Sequence, residues 1–252
     1  FVYYRKGKYY LMYSGGKCGD VTYNIRYAVS DNVWGPYQDA PNNPILKKNK
    51  ENHVYGPGHH SVFEVDGQTY MAYHRQDFYN YPTCSERQVC IDKLEFDDNG
   101  RIIKVLPTHK GVDFGLTGNR ERNNIALGKP VTSSGNAKGF EPEFAVDNNF
   151  ATRWMTGRNS GAFSVDLENI YKIHEIQPWF VYYDYYNLFK IEYSLDNQHW
   201  EIYVDRTTEA LKAWQPIERK TVEARYVKIK IIRGGTDAAA LFELKILGEP
   251  VN

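Results

Sequence analysis

What the sequence lacks narrows it before any motif is read. Its 31 Lys and Arg are matched by 31 Asp and Glu, so nothing electrostatic favours a nucleic acid and a neutral partner is the better expectation. No apolar run approaches the ~20 residues that span a bilayer, and no signal-peptide pattern is present. Cysteine is scarce, and Cys18, Cys84 and Cys90 lack metal-ligand spacing. An odd count allows one disulfide, with Cys18 to Cys84 conceivable between loops, but three reduced thiols are the expectation.

Aromatic residues, by contrast, make up 15% of the chain, with 21 Tyr against 12 Phe. Tyrosine combines a flat apolar face with a hydroxyl, which suits sugars, and a β-rich fold enriches it anyway. The 252 residues suffice for two domains. The first residue is Phe, in what reads as the middle of a strand, so the chain is expected to be a piece of something longer.

Gly56 to Arg75, GPGHHSVFEVDGQTYMAYHR, organises the first half. Asp66-Gly67 between two alternating segments predicts a hairpin, because a type I′ turn needs φ > 0 at both central residues. Val2-Tyr3, Lys6-Gly7, Tyr10 and Tyr13 fill the slots of Val62-Phe63, Asp66-Gly67, Tyr70 and Tyr73. Each hairpin is followed by a further β-rich run, YNIRYAVS (23–30) or QVCIDKLEF (88–96), with Trp34 to Tyr37 (WGPY) expected to close the first sheet. An all-strand, aromatic-rich period of this length indicates β-propeller blades.

These residues carry a resemblance. GPGHHSVF, YMAYHR and RQVCIDKLEFDDNGRI, preceded by FVYYRKGKYYLMYSGG and RYAVSDNVWGPY, resemble the C-terminal part of the family 43 glycoside hydrolases over roughly residues 1 to 115. The resemblance implies the last blades of a five-bladed propeller from an inverting enzyme acting on arabinose- or xylose-containing plant polysaccharides or oligosaccharides. It also implies a secreted, periplasmic or cell-surface bacterial location.

From Asn124 the pattern changes. NIALGKPVTSSG, AVDNNFATRW, FSVDL, IEYSLD, ARYVKI and FELKILG follow in turn, strands separated by turn signals with no convincing helix, which predicts a β-sandwich. Motif by motif this half resembles the discoidin or coagulation-factor-type C module, a jelly-roll that many glycosidases use to bind carbohydrate. The expected fold is therefore all-β, with propeller blades over residues 1–107, a polar linker over 108–123 and a discoidin-like jelly-roll over 124–252.

Adjacent histidines such as His59-His60 are ordinary turn residues in isolation. The family resemblance instead implies that His59, with His60 as second choice, points into the axial channel, where it orders water and often ligates a calcium ion. His74 and Arg75 end the next strand, where the family's arginine reaches the sugar; a surface salt bridge is the alternative for Arg75. A guanidinium fork can hold a sugar hydroxyl and keep a nearby carboxylate ionised.

The departure concerns the acids. Inversion requires a general acid and a base ~6.5 to 9.5 Å apart. The resemblance places the acid in a Glu-x-Pro within about three residues upstream of Phe1, and both aspartates in still earlier blades. Asp20, Asp77 and Glu86 are loop acids, and none of them forms an evident pair. This chain by itself is expected to hydrolyse nothing. A non-catalytic carbohydrate-binding or adhesion protein, with the propeller part as scaffold, is the alternative.

Asp147-Asn148-Asn149 with Thr152 reads as a common turn. The module resemblance makes Asp147, Asn149, Thr152 and Glu243 ligands of a structural calcium ion, hard oxygen donors for a hard cation. Aromatic candidates for sugar contact are Trp179, Tyr182, Tyr183 and Tyr185 in PWFVYYDYY, and Trp214.

Overall fold

The computed structural model describes residues 1–18, 22–51, 53–76, 87–109, 111–112, 124–182, 185–212, 215–235 and 237–251. The chain divides into two compact units, Phe1–Leu116 and Thr117–Asn252. Among the described residues the only helical element is a 3-10 turn, Pro142–Ala145, and no helix is long and apolar enough to cross a membrane.

Among the described residues the first unit holds two antiparallel sheets. One is built from β1 (Val2–Arg5), β2 (Lys8–Gly15), β3 (Asn24–Ser30) and β4 (Gln38–Asp39) in that order, with β5 (Leu46–Lys47) also on β3. The other is β6 (Tyr55–Val65), β7 (Gln68–Gln76) and β8 (Arg87–Lys93). Both hairpins close as their sequences require. Lys6 and Gly7 have φ of 48° and 80°, and Asp66 and Gly67 have 50° and 75°. Arg5 consequently pairs with Lys8, and Val65 with Gln68. The internal repeat holds in register too, since Tyr3 faces Tyr10 and Phe63 faces Tyr70.

The core of this unit explains much of the tyrosine. Tyr10, Tyr27 and Tyr73 are buried with Met12, Ile25, Met71 and Ile102. Their hydroxyls remain bonded: Tyr10 donates to the Gly100 carbonyl at 2.8 Å, Tyr27 to Asn42 at 3.0 Å and Tyr73 to Asp92 at 2.6 Å. A buried phenol with a partner adds apolar area without an unsatisfied donor.

Two expectations from the sequence do not hold. WGPY does not close the first sheet: β4 does, and Trp34 stands 91% exposed in the loop before it. A cis peptide joins Gly35 to Pro36, and proline has no N–H to give a ladder. Nor are all three cysteines reduced. Cys18 is disulfide-bonded and Cys90 is a free, buried thiol, while Cys84 lies outside the described residues. Gln76 Nε2 and Arg87 Nη2 lie 3.6 and 3.5 Å from the Cys18 sulfur, so the loop after β2 reaches the ends of β7 and β8.

The second unit is a sandwich made of β9 (Val131–Ser133), β10 (Trp154–Met155), β11 (Gly161–Phe180), β12 (Asn187–Ser194), β13 (Glu201–Leu211), β14 (Glu218–Arg233) and β15 (Ala240–Pro250). The order is β10-β15-β11-β14-β12-β13, with β9 on β11. The 20-residue β11 turns the corner by register shifts between Asp166 and Tyr171 and between Ile173 and Glu175. Bulges of this kind bend a long strand so that one chain serves both layers. Trp154, Phe163, Phe180, Phe189, Ile229 and Leu244 fill the space between them.

Candidate functional site

In the first unit the unusual chemistry gathers where β6 begins. Gly56 (φ 51°) and His59 (φ 50°) interrupt the β6 ladder, and the register slips on either side of Gly58. Gly58 is required by close approach: a Cβ there would lie 2.2 Å from the Tyr23 ring. The His59 N–H donates to Ser14 Oγ at 2.9 Å and its exposed ring stands 6.3 Å, centre to centre, from that of His74. Tyr23 stacks on His74 at 5.8 Å. His60 is half-buried against Phe1, and neither of its ring nitrogens has a hydrogen-bond partner among the described residues.

Burial lowers the His74 pKa to about 4, helped by the positive charge of Arg87, and burial does the same to His60. Both rings are neutral at neutral pH, each able to donate from one nitrogen and accept at the other. His74 Nε2, Gln76 Oε1 and Gln88 Oε1 are buried polar atoms that meet no partner among the described residues. His74 and Gln76 share one face at the end of β7, where a polar ligand would complete their bonding, whereas Gln88 lies on the opposite face.

Arg75 is not with the histidine pair. Successive side chains leave a strand on opposite faces, so His74 turns toward His59 and Tyr23 and Arg75 turns the other way, across from Gln88. There Arg75 is 1% exposed and bonds the Cys90 thiol, whose pKa is raised to about 11 by burial. Tyr73 and Asp92 continue the same buried row. The sequence indicated His59, His74 and Arg75; it held no sign of Tyr23 or Cys90, because their roles depend on cross-strand register. Asp20, Asp77 and Glu86 lie outside the described residues.

In the second unit the Asp147 loop closes on β15. Asn148 takes the left-handed conformation (φ 55°), which asparagine tolerates. Thr152 Oγ1 is 2.7 Å from both Asp147 Oδ2 and the Asn149 carbonyl oxygen. The Asn149 N–H donates to Asp147 Oδ1 at 2.8 Å and Glu243 Oε1 at 3.0 Å. Asn149 Oδ1 is occupied by the Ala151 N–H, so this residue offers its carbonyl rather than its amide. Glu243 is wholly buried, and its Oε2 meets no donor among the described residues. Burial, and then Asp147, push Glu243 up to about 9, while burial raises Asp147.

The buried Glu243 carboxyl, the more exposed Asp147 carboxyl, a hydroxyl and a carbonyl fit a hard cation, which would relieve the repulsion of two acids held close together. His59 does not make such a site from the described residues, which include no group of three or more His, Cys, Asp or Glu able to hold a metal.

Among the aromatic candidates, Trp179 is packed edge-on against Phe150 at 4.7 Å, with Lys245 Nζ 5.7 Å over its ring. Tyr182 packs over Gly235 and its hydroxyl approaches Met155 Sδ at 3.6 Å. Tyr185 is exposed beside it. Tyr183 and Trp214 lie outside the described residues.

Propeller-type sheets followed by a discoidin-like sandwich define a modular two-domain chain. Residues 1–102 match the model of the glycosyl hydrolases family 43, and residues 130–244 that of the F5/8 type C domain. A beta-D-galactofuranosidase, xynD, of Aspergillus niger is 38% identical over 110 residues, covering 43% of this chain and 32% of its own. A solved glycoside hydrolase superposes on 97% of this chain and 58% of its own, with a TM-score of 0.71 and 24% identity. A thermostable family-43 glycoside hydrolase is 38% identical over 42% of this chain and 34% of its own, with a TM-score of 0.40. The chain thus spans about a third of the curated relative it matches.

Proposed function

We propose that this chain is the C-terminal portion of an inverting glycosidase that acts on furanosides or xylosides of neutral polysaccharides, arabinofuranosides first among them. The observation that carries the reading is the cluster of His59, a neutral His74 and the buried Gln76 amide on one face where β6 and β7 meet, with the buried Arg75 on the opposite face, within the family-43 match. The name of the Aspergillus relative adds galactofuranose, a five-membered ring like arabinofuranose, to the sugars to be tested. The acid and base belong to the length of the relatives that this chain does not span. His59 and His74 then serve as hydrogen-bonding groups for sugar hydroxyls, and Arg75 as the fixed charge behind them. In the sandwich unit, Asp147, the Asn149 carbonyl, Thr152 and Glu243 hold a structural calcium ion, and Tyr185 and its neighbours contact sugar.

The test is the intact protein assayed on nitrophenyl α-L-arabinofuranoside, β-D-galactofuranoside and β-D-xyloside. One of the three should be turned over, and Arg75→Ala should lower its kcat/KM by at least ~10²-fold, as expected for a group that positions substrate or fixes a catalytic charge. Near wild-type activity for Arg75→Ala would remove that role, and inactivity on all three would leave carbohydrate binding as the function.

A further inference from the structure

The first unit carries a second cleft, of about 500 Å³, away from the histidine cluster. Its polar lining includes Lys8, Asp31, Asn32, Gln38, Asn99 and Arg101. Lys8 in this wall and Ser14 beside His59 both lie on β2, six residues apart, so roughly 20 Å of strand separates the two places. The volume falls within the ~300–1,000 Å³ common for small-molecule sites, and the lining mixes polar side chains with Tyr10, Tyr27, Val29, Pro36 and Pro41.

Both walls are braced by hydrogen bonds. On one side Asp97 Oδ1 accepts the N–H groups of Asn99 and Arg101 at 2.9 and 2.8 Å, and the Gly100 carbonyl is tied to Tyr10. On the other, Ser30 Oγ accepts the Asn32 N–H, Asn32 Oδ1 accepts the Trp34 N–H and the Asn32 carbonyl accepts the Gly35 N–H. Asn32, Gly35 and Pro36 line the cleft, and Val33 and Trp34, which join them in the chain, are exposed outside its lining. At 91% exposed, Trp34 is the most exposed large hydrophobic side chain among the described residues. Leaving an indole in water on an ordered loop forfeits about 2 kcal/mol or more of burial, a cost that a ligand would offset.

We propose that this cleft is a second carbohydrate-binding site, in which Trp34 stacks on a sugar ring while Asn32, Asn99 and Gln38 bond its hydroxyls. The charges present are Lys8 and Arg101 against Asp31 and Asp39, two of each sign, which favours a neutral polysaccharide over an anionic one. The inference rests on the reading of the chain as carbohydrate-active and adds to it a site remote from the histidine cluster. A polymer could engage this cleft while another stretch of it lies elsewhere on the enzyme.

The experiment is affinity electrophoresis of the 252-residue chain through gels containing arabinoxylan, arabinan or galactan, with acrylamide quenching of tryptophan fluorescence in the same polysaccharides. Wild type should be retarded by at least one and its most accessible tryptophan protected. Trp34→Ala and Asn99→Ala should bind at least ~5-fold more weakly, the size expected for one aromatic stack or hydrogen-bond partner. Retardation of both variants equal to wild type would overturn the cleft while leaving sugar binding elsewhere intact. No retardation of wild type in any gel would overturn the cleft, and would count against carbohydrate binding by this chain as a whole.

Discussion

Asp166 and Arg225 show how much of the sandwich's electrostatics resides in single pairs. Arg225 Nε and Nη2 bond the two carboxylate oxygens at 2.8 and 2.9 Å. This fork, supported by the Glu168 N–H, holds the Asp166 pKa below its ordinary 3.8. A carboxylate depressed in the folded state contributes stability that is complete above its unfolded pKa and is lost as pH falls through the folded value. The pair is partly exposed, so Asp166→Asn should cost about 1 kcal/mol or less at pH 7. That difference should fade as pH falls below 3.8 and vanish once the carboxylate is protonated in the folded state as well, which parallel thermal melts across pH would show. A gap of equal size at both ends of the range would mean that the carboxylate's charge is not what stabilises. At this scale the sequence was least informative. His74 and Arg75 are neighbours in the chain, yet strand alternation sends them to opposite faces, and Tyr23 meets His74 only through packing that no local pattern announces.

Strands and turns were far more legible, because turn chemistry is local. Asp66-Gly67 and Lys6-Gly7 each force φ > 0 at two successive residues, and the registers of β6 on β7 and β1 on β2 follow. Where an element depends on a distant partner the sequence was silent: WGPY reads like a closing strand, and only the pairing of β3 with Gln38-Asp39 shows otherwise. Gly58 and Gly67 separate the two kinds of constraint. At Gly67, with φ of 75° and nothing within 4 Å of where a Cβ would stand, alanine should cost only the ~1–2 kcal/mol of a left-handed residue. At Gly58 the new methyl would sit 2.2 Å from the Tyr23 ring, which stacks on His74. Gly58→Ala should therefore destabilise the first unit by ~1–3 kcal/mol and alter the near-ultraviolet circular dichroism of the tyrosines, whereas Gly67→Ala should leave that spectrum unchanged. If Gly58→Ala melts with wild type and keeps its spectrum, the close packing of Tyr23 on β6 does not constrain the cluster.

Across the whole chain the two units have separate cores, one around Tyr27 and Met71 and one around Trp154 and Phe163. Each is expected to unfold as its own cooperative step, and this gives the calcium assignment an internal control. The proposed oxygen donors all lie in the second unit, with Glu243 reaching the Asp147 loop from the far end of that unit's sequence. A cation bound there stabilises only the folded sandwich, by ~2.7 kcal/mol at a free concentration one hundred times its dissociation constant. For a domain of this size that raises the midpoint by roughly 10 °C. Calorimetry of the intact chain should therefore give two transitions, of which calcium raises one and a chelator lowers the same one. Glu243→Gln preserves the volume and removes one charged donor, so the responsive transition should become indifferent to calcium while the other stays where it was. A sandwich whose midpoint ignores both calcium and chelator would mean that Asp147 and Glu243 share a proton instead of a metal. The turn at Asp147 to Thr152 would then need no more than the hydrogen bonds it already makes.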